Sequence, residues 1–183
     1  MLRGVIQAGE TFENSRTGTR VEVRESTPER VVFDRRYPPN TGRADPHVHF
    51  DITQGWEVLS GEARVVVDGE TREVKAGQTV EIPTGVPHQD IHNPHTSDLS
   101  VRWTVAPFND FVEAFADCYT HYLTRDELNK QEEFTPLQLF PILRATRAQS
   151  WITRIPIPVQ KLVIPIGAWL GRMRGYRPRY DET

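Results

Sequence analysis

Residues 46–88 open Pro46-His47-Val48-His49, pass Gln54, Trp56-Glu57-Val58-Leu59 and Gly61, and close Pro83-Thr84-Gly85-Val86-Pro87-His88. In an extended strand, residues two apart share a face, so His47 and His49 present two imidazoles side by side. Gln54 stands just before a strand-like run, and His88 follows a Pro/Gly turn. Three imidazoles and one amide oxygen can then converge on one ion. Imidazole suits zinc, nickel, copper and iron. The stretch reads as a metal site carried on strands.

The chain around it supplies those strands. Residues 19–23, 30–34, 62–67, 70–75, 79–82 and 98–105 are short β-rich runs separated by turn residues. Asp68-Gly69 is a hairpin signal between two of them. Many short strands at this spacing predict a sandwich or barrel. After Pro107 the period changes, with Phe108, Phe111, Val112, Phe115, Tyr119 and Tyr122 recurring at helical spacing. Residues 124–127 read as the capped start of another turn or helix. Thr135-Pro136 starts a helix expected to run through Leu143 toward Trp151. Ile155-Pro156-Ile157-Pro158 should break it, and a last helix is expected over 159–173, with Pro165 inside. The expected organisation is a β-domain over 1–107 and a helical extension over 108–183, packed on the barrel or on a dimer partner.

The motifs resemble those of the cupin superfamily. Its first motif is matched by Gly42, His47-Val48-His49, Gln54 and Gly61. Its second is matched by Gly77, Pro83-Thr84-Gly85, His88 and Asn93, the asparagine one place later than usual. The resemblance implies a mainly β, jelly-roll barrel with a helical C-terminal extension, and a homodimer. It implies a metal held by His47, His49, Gln54 and His88. Gln54 stands where most metal-binding cupins carry glutamate. That variant is similar to the proteins that linearise unsaturated uronates in pectin degradation and to the cupin-type polyketide cyclases. A neutral amide leaves the ion more electrophilic, which favours polarising a carbonyl or acidifying a water. The expected cofactor is one divalent ion, zinc or nickel ahead of iron, copper or manganese. The expected activity is isomerisation or cyclisation of a small carbonyl compound. The alternatives are a dioxygenase using iron, copper or nickel, and a non-catalytic cupin that binds a ligand or metal.

Other residues refine the site. Alternation from His88 places Asp90 and His92 on the inner face as candidates for proton transfer. Asp90 could also partner a ligand histidine. Arg102 and Trp103 alternate, so one of them faces the interior. Arg102 would suit an anionic substrate, and Trp103 would make the pocket apolar.

Composition bounds the rest. The single cysteine, Cys118, excludes an intramolecular disulfide framework. No apolar core of signal-peptide length opens the sequence, and a cytoplasmic protein is expected. Residues 1–143 carry 14 Lys and Arg against 23 Asp and Glu, whereas residues 144–183 carry 8 against 2. The basic tail lacks a nucleic-acid motif, so no nucleic-acid partner is expected. Residues 159–177 are apolar and basic. They could cover the barrel mouth, bury against a second subunit, or touch a membrane surface.

Overall fold

The computed structural model describes residues 6–180. Eleven strands form two antiparallel sheets. The first sheet contains β1 (Thr11–Glu13), β2 (Arg20–Ser26), β3 (Val31–Tyr37), β5 (Thr53–Ser60), β8 (Thr79–Ile82) and β10 (Leu99–Ala106). Its spatial order is β1-β2-β3-β10-β5-β8. The second contains β4 (His47–His49), β6 (Glu62–Val67), β7 (Glu70–Lys75), β9 (His88–His92) and β11 (Ser150–Ile152). Its order is β11-β4-β9-β6-β7. The sheets face each other as a jelly roll, without closing into one hydrogen-bonded barrel.

Alternation builds the inner layer. Ala63, Val65 and Val67 point inward from β6 and are buried. They meet Val58, Ile82, Ile91 and Val101 from both sheets in one apolar core. At the sheet's edge, β7 buries only Val74 and keeps charged residues outward, which discourages pairing with another chain. The β6–β7 turn puts Asp68 at φ 50° and Gly69 at φ 81°. That conformation matches the twist of a tight hairpin and favours glycine.

Three helices follow: α1 (Asp110–Thr124), α2 (Pro136–Thr146) and α3 (Ile157–Met173). Asn109 caps α1 by accepting from the backbone N–H groups of Phe111 and Val112. Phe111, Val112, Tyr119 and Tyr122 of α1 bury against Val21, Val23, Val31 and Phe33 of the first sheet. The helical segment thus shares a core with the strands. Thr135 and Gln138 form the capping box of α2, with Pro136 in its first turn. Close approach joins α2 to α3. A Cβ at Gly171 would collide with the Leu137 carbonyl oxygen.

Two expectations differ from the structure. Thr124 ends α1 instead of starting a helix, and Asp126, at φ 58°, is tied to Asn14 and Arg16. The second helix stops at Thr146, with Arg147 in the left-handed region. Residues 150–152 then pair with β4, from Ser150 opposite His49 to Ile152 opposite His47. The open edge of β4 supplies partners that a continued helix would have left unpaired.

Candidate metal centre

The ladder itself brings the histidines together. His47 and His49 lie on one face of β4, and His88 on β9 sits directly opposite His47. Ring centroids are 4.7 Å apart for His47 and His49 and 4.4 Å apart for His47 and His88. One ligand atom from each of the three falls within 4.8 Å of the others.

Backbone carbonyls set the tautomers. His47 Nδ1 lies 2.7 Å from the Asp45 carbonyl oxygen, and His88 Nδ1 lies 2.9 Å from that of Val86. A carbonyl can only accept, so each Nδ1 carries a hydrogen, and in the neutral ring the lone pair is left on Nε2. Burial holds the His49 imidazole well below its usual range, and His47 and His88 add to the shift. Burial also lowers His88, with the Asp90 carboxylate opposing it. Neutral imidazoles are the ligating form.

Asp90 joins this group from β9. Its Oδ1 lies 3.7 Å from His47 Nε2 and 3.6 Å from His88 Nε2, and it is buried without a hydrogen-bond donor. His49 Nδ1 is likewise buried and unpartnered. Such a gathering of acceptors is unfavourable unless a cation sits among them. The residues present therefore fit a divalent ion.

Gln54 is buried beside them. Its Oε1 accepts from the Trp103 indole N–H at 2.9 Å, and its Nε2 lies 3.0 Å from His88 Nε2. The indole can only donate, which orients the amide with its nitrogen toward His88. The oxygen expected to reach an ion is thus engaged by Trp103. His92 is buried on β9, and its Nδ1 faces the Asp90 carbonyl oxygen at 3.3 Å. It is not among the residues lining the cavity.

That cavity, of about 360 Å³, has His47, His49, Gln54 and Asp90 in its wall. Trp103 faces it, while Arg102 turns away to pair with Asp34 at 2.8 Å. Most of the wall is apolar, built from Phe111, Phe115, Phe134, Leu139 and Val163 among others. Glu133 also lines it, from the loop between α1 and α2. Burial pushes the Glu133 carboxyl up to about 7. Arg35 pulls it back, and the Asp90 charge pushes it further up. Arg35 donates to Glu133 at 3.3 Å and stacks on the Tyr37 and Tyr119 rings. Sequence reasoning missed Glu133. The available signal was a pair of acids, Glu132-Glu133, directly before the apolar start of α2.

A family model agrees with the fold. Residues 33–105 match the family model described as Cupin domain. The chain carries a cupin domain. KdgF from Halomonas sp. is 20% identical over 55% of this chain and 89% of that one, with a TM-score of 0.47. A conserved protein with a double-stranded β-helix domain from Klebsiella pneumoniae is 26% identical over 52% and 83%, with a TM-score of 0.44. An RmlC-like cupin from Shewanella frigidimarina is 21% identical over 52% and 82%, also with a TM-score of 0.44. No curated protein matches the chain. Within the cupin domain the histidine cluster joins two strands of one sheet, and the cavity wall extends beyond the domain to Glu133 and α3.

Proposed function

We propose that this cupin is a metal-dependent enzyme that moves a proton on a carbonyl compound with an apolar body. One observation carries the reading: His47 and His49, two of three clustered imidazoles, share the wall of a largely apolar cavity with two acids, Asp90 and Glu133. A divalent ion held by His47, His49 and His88, with Asp90 beside it, would supply Lewis acidity to a carbonyl oxygen. The chain supplies the rest. Trp103 donates to the Gln54 oxygen and so turns the amide nitrogen to His88 Nε2, a hydrogen bond that must give way for that imidazole to bind an ion, while the Val86 carbonyl orients the ring through Nδ1. Glu133 exchanges its proton near neutrality, which suits general acid–base work at a carbon beside the carbonyl. Phe111, Phe115 and Phe134 exclude water and favour a polyketide-like body over a sugar.

Asp90 also favours a second reading. Histidines with a carboxylate are the usual surroundings of oxygen-activating iron. Elemental analysis of untagged protein, with anaerobic assays on a panel of aromatic and aliphatic ketones in D2O, separates the two. Near-stoichiometric zinc or nickel, with oxygen-independent deuterium uptake beside the carbonyl, is the expected result. Iron or copper, with turnover only in air, would give the site to oxygen chemistry. Protein that takes up no metal on reconstitution would defeat both.

A further inference from the structure

The outer surface of α3 reverses the ordinary helix pattern. Its inner face, against α2, is built from Gly167, Ala168 and Gly171, and its large apolar side chains point outward. Leu162 is 72% exposed, Ile166 60%, Trp169 61% and Met173 68%. Among the described residues, eleven large hydrophobic side chains are exposed, and nine lie between Ile155 and Met173. A continuous apolar face of this kind marks a binding surface.

Charge identifies what covers it. From residue 134 to residue 180 the sequence contains eight Lys and Arg and no Asp or Glu. Lys161, Arg172, Arg174 and Arg177 are exposed around the apolar face. None of the four has a carboxylate partner among the described residues, whereas most cations of the sandwich do. Pairing this face with its own copy about a two-fold axis would bring two all-cationic rims together. An anionic lipid surface complements both the apolar face and the rim. Outward Trp and Leu with flanking Lys and Arg are what an interfacial helix needs. No described helix is long and apolar enough to cross a membrane, so the contact is one of lying on the surface.

The face is continuous with the cavity. Ile155, Val159 and Val163 are exposed and also line the cavity that has His47 and His49 in its wall. We propose that α3 lies on an anionic membrane surface with the cavity mouth toward the lipid, and that the cavity draws an apolar, carbonyl-bearing amphiphile from it. The second clause rests on the function proposed above; the first stands without it.

The test is co-sedimentation of the full chain with phosphatidylcholine vesicles, with and without phosphatidylserine. Binding is expected only to the anionic vesicles and should fall as salt rises. Arg172→Glu/Arg174→Glu and Leu162→Glu/Ile166→Glu should each weaken partitioning at least about tenfold. Their melting temperature and metal content should stay at wild-type values. Absence of binding at low salt would overturn the proposal, as would binding unchanged in both variants. A concentration-dependent dimer that Leu162→Glu/Ile166→Glu dissolves, without vesicle binding, would assign the face to a second copy and also overturn it. Vesicle binding by protein that takes up no metal would leave the docking intact and remove only the substrate clause.

Discussion

Strand β9 and helix α3 break the same rule in opposite directions. β9 buries His88 and His92 beside the part-buried carboxylate of Asp90, where apolar side chains would cost less. α3 exposes Leu162, Ile166 and Trp169 and hides glycine and alanine. Between them lie ordinary elements such as β6, in which every buried position is Ala or Val. Proteins tolerate such inversions chiefly where function requires them. Buried acceptors call for a cation, and exposed apolar faces call for a cover. One inversion faces inward to chemistry and the other outward to a surface.

The comparison can be broken first at the histidines. His49→Ala/His88→Ala should lower bound metal from near stoichiometric to background by elemental analysis, while circular dichroism shows the sheets intact. Retention of full metal content would remove the imidazoles from the site. A matched pair of isoleucines sharpens the contrast next. Ile91 is fully buried, and Ile91→Ala should cost about 2–5 kcal/mol in urea unfolding. Ile166→Ala, on the exposed face, should stay within about 0.5 kcal/mol. Similar costs at both positions would mean that α3 is covered in the isolated chain.

Glu133 gives a smaller effect with a defined sign. Its carboxyl is raised in the fold to about 7 from an ordinary value of 4.5. The folded protein therefore holds a proton there that the unfolded chain releases. The resulting stability is present below pH 4.5 and is lost as pH rises toward 7. In metal-free protein, Glu133→Gln should gain on wild type by up to about 3 kcal/mol between pH 5 and pH 8. Parallel pH profiles for the two proteins would place the Glu133 carboxylate in a solvated setting. The smallest change is Trp103→Phe. It removes the donor to Gln54, at a cost of about 1 kcal/mol in stability, and frees the amide to turn its oxygen toward the ion and release His88 Nε2, so metal affinity should not fall. Isothermal titration that finds a marked loss of affinity would show that the Trp103–Gln54 contact supports the ion instead of competing with it.

Much of this is legible in the sequence. Period-two alternation and Asp68-Gly69 located β6 and β7, because a half-buried strand and a tight turn each impose a local pattern. The paired histidines of β4 and the Pro-Gly turn before His88 located the cluster for the same reason. What was hidden depends on contacts distant in sequence. Gln54 reads as an oxygen donor to an ion, and nothing local shows that Trp103, 49 residues on, donates to that same oxygen. Glu133 reads as a loop acid until Arg35 and the cavity enclose it. Residues 150–152 follow a helical stretch, and only the open edge of β4 makes them a strand.

That last pairing has a consequence for biosynthesis. β4 spans three residues and meets β9 through a single register pair, His47 with His88, but meets β11 through three. The strand that carries two of the histidines therefore acquires most of its neighbours from a segment more than a hundred residues downstream. A nascent chain leaving the ribosome holds His47 and His49 on an unfinished edge until β11 emerges, and such long-range closure comes late in folding. A metal site built on β4 would therefore be completed only once β11 has joined the sheet.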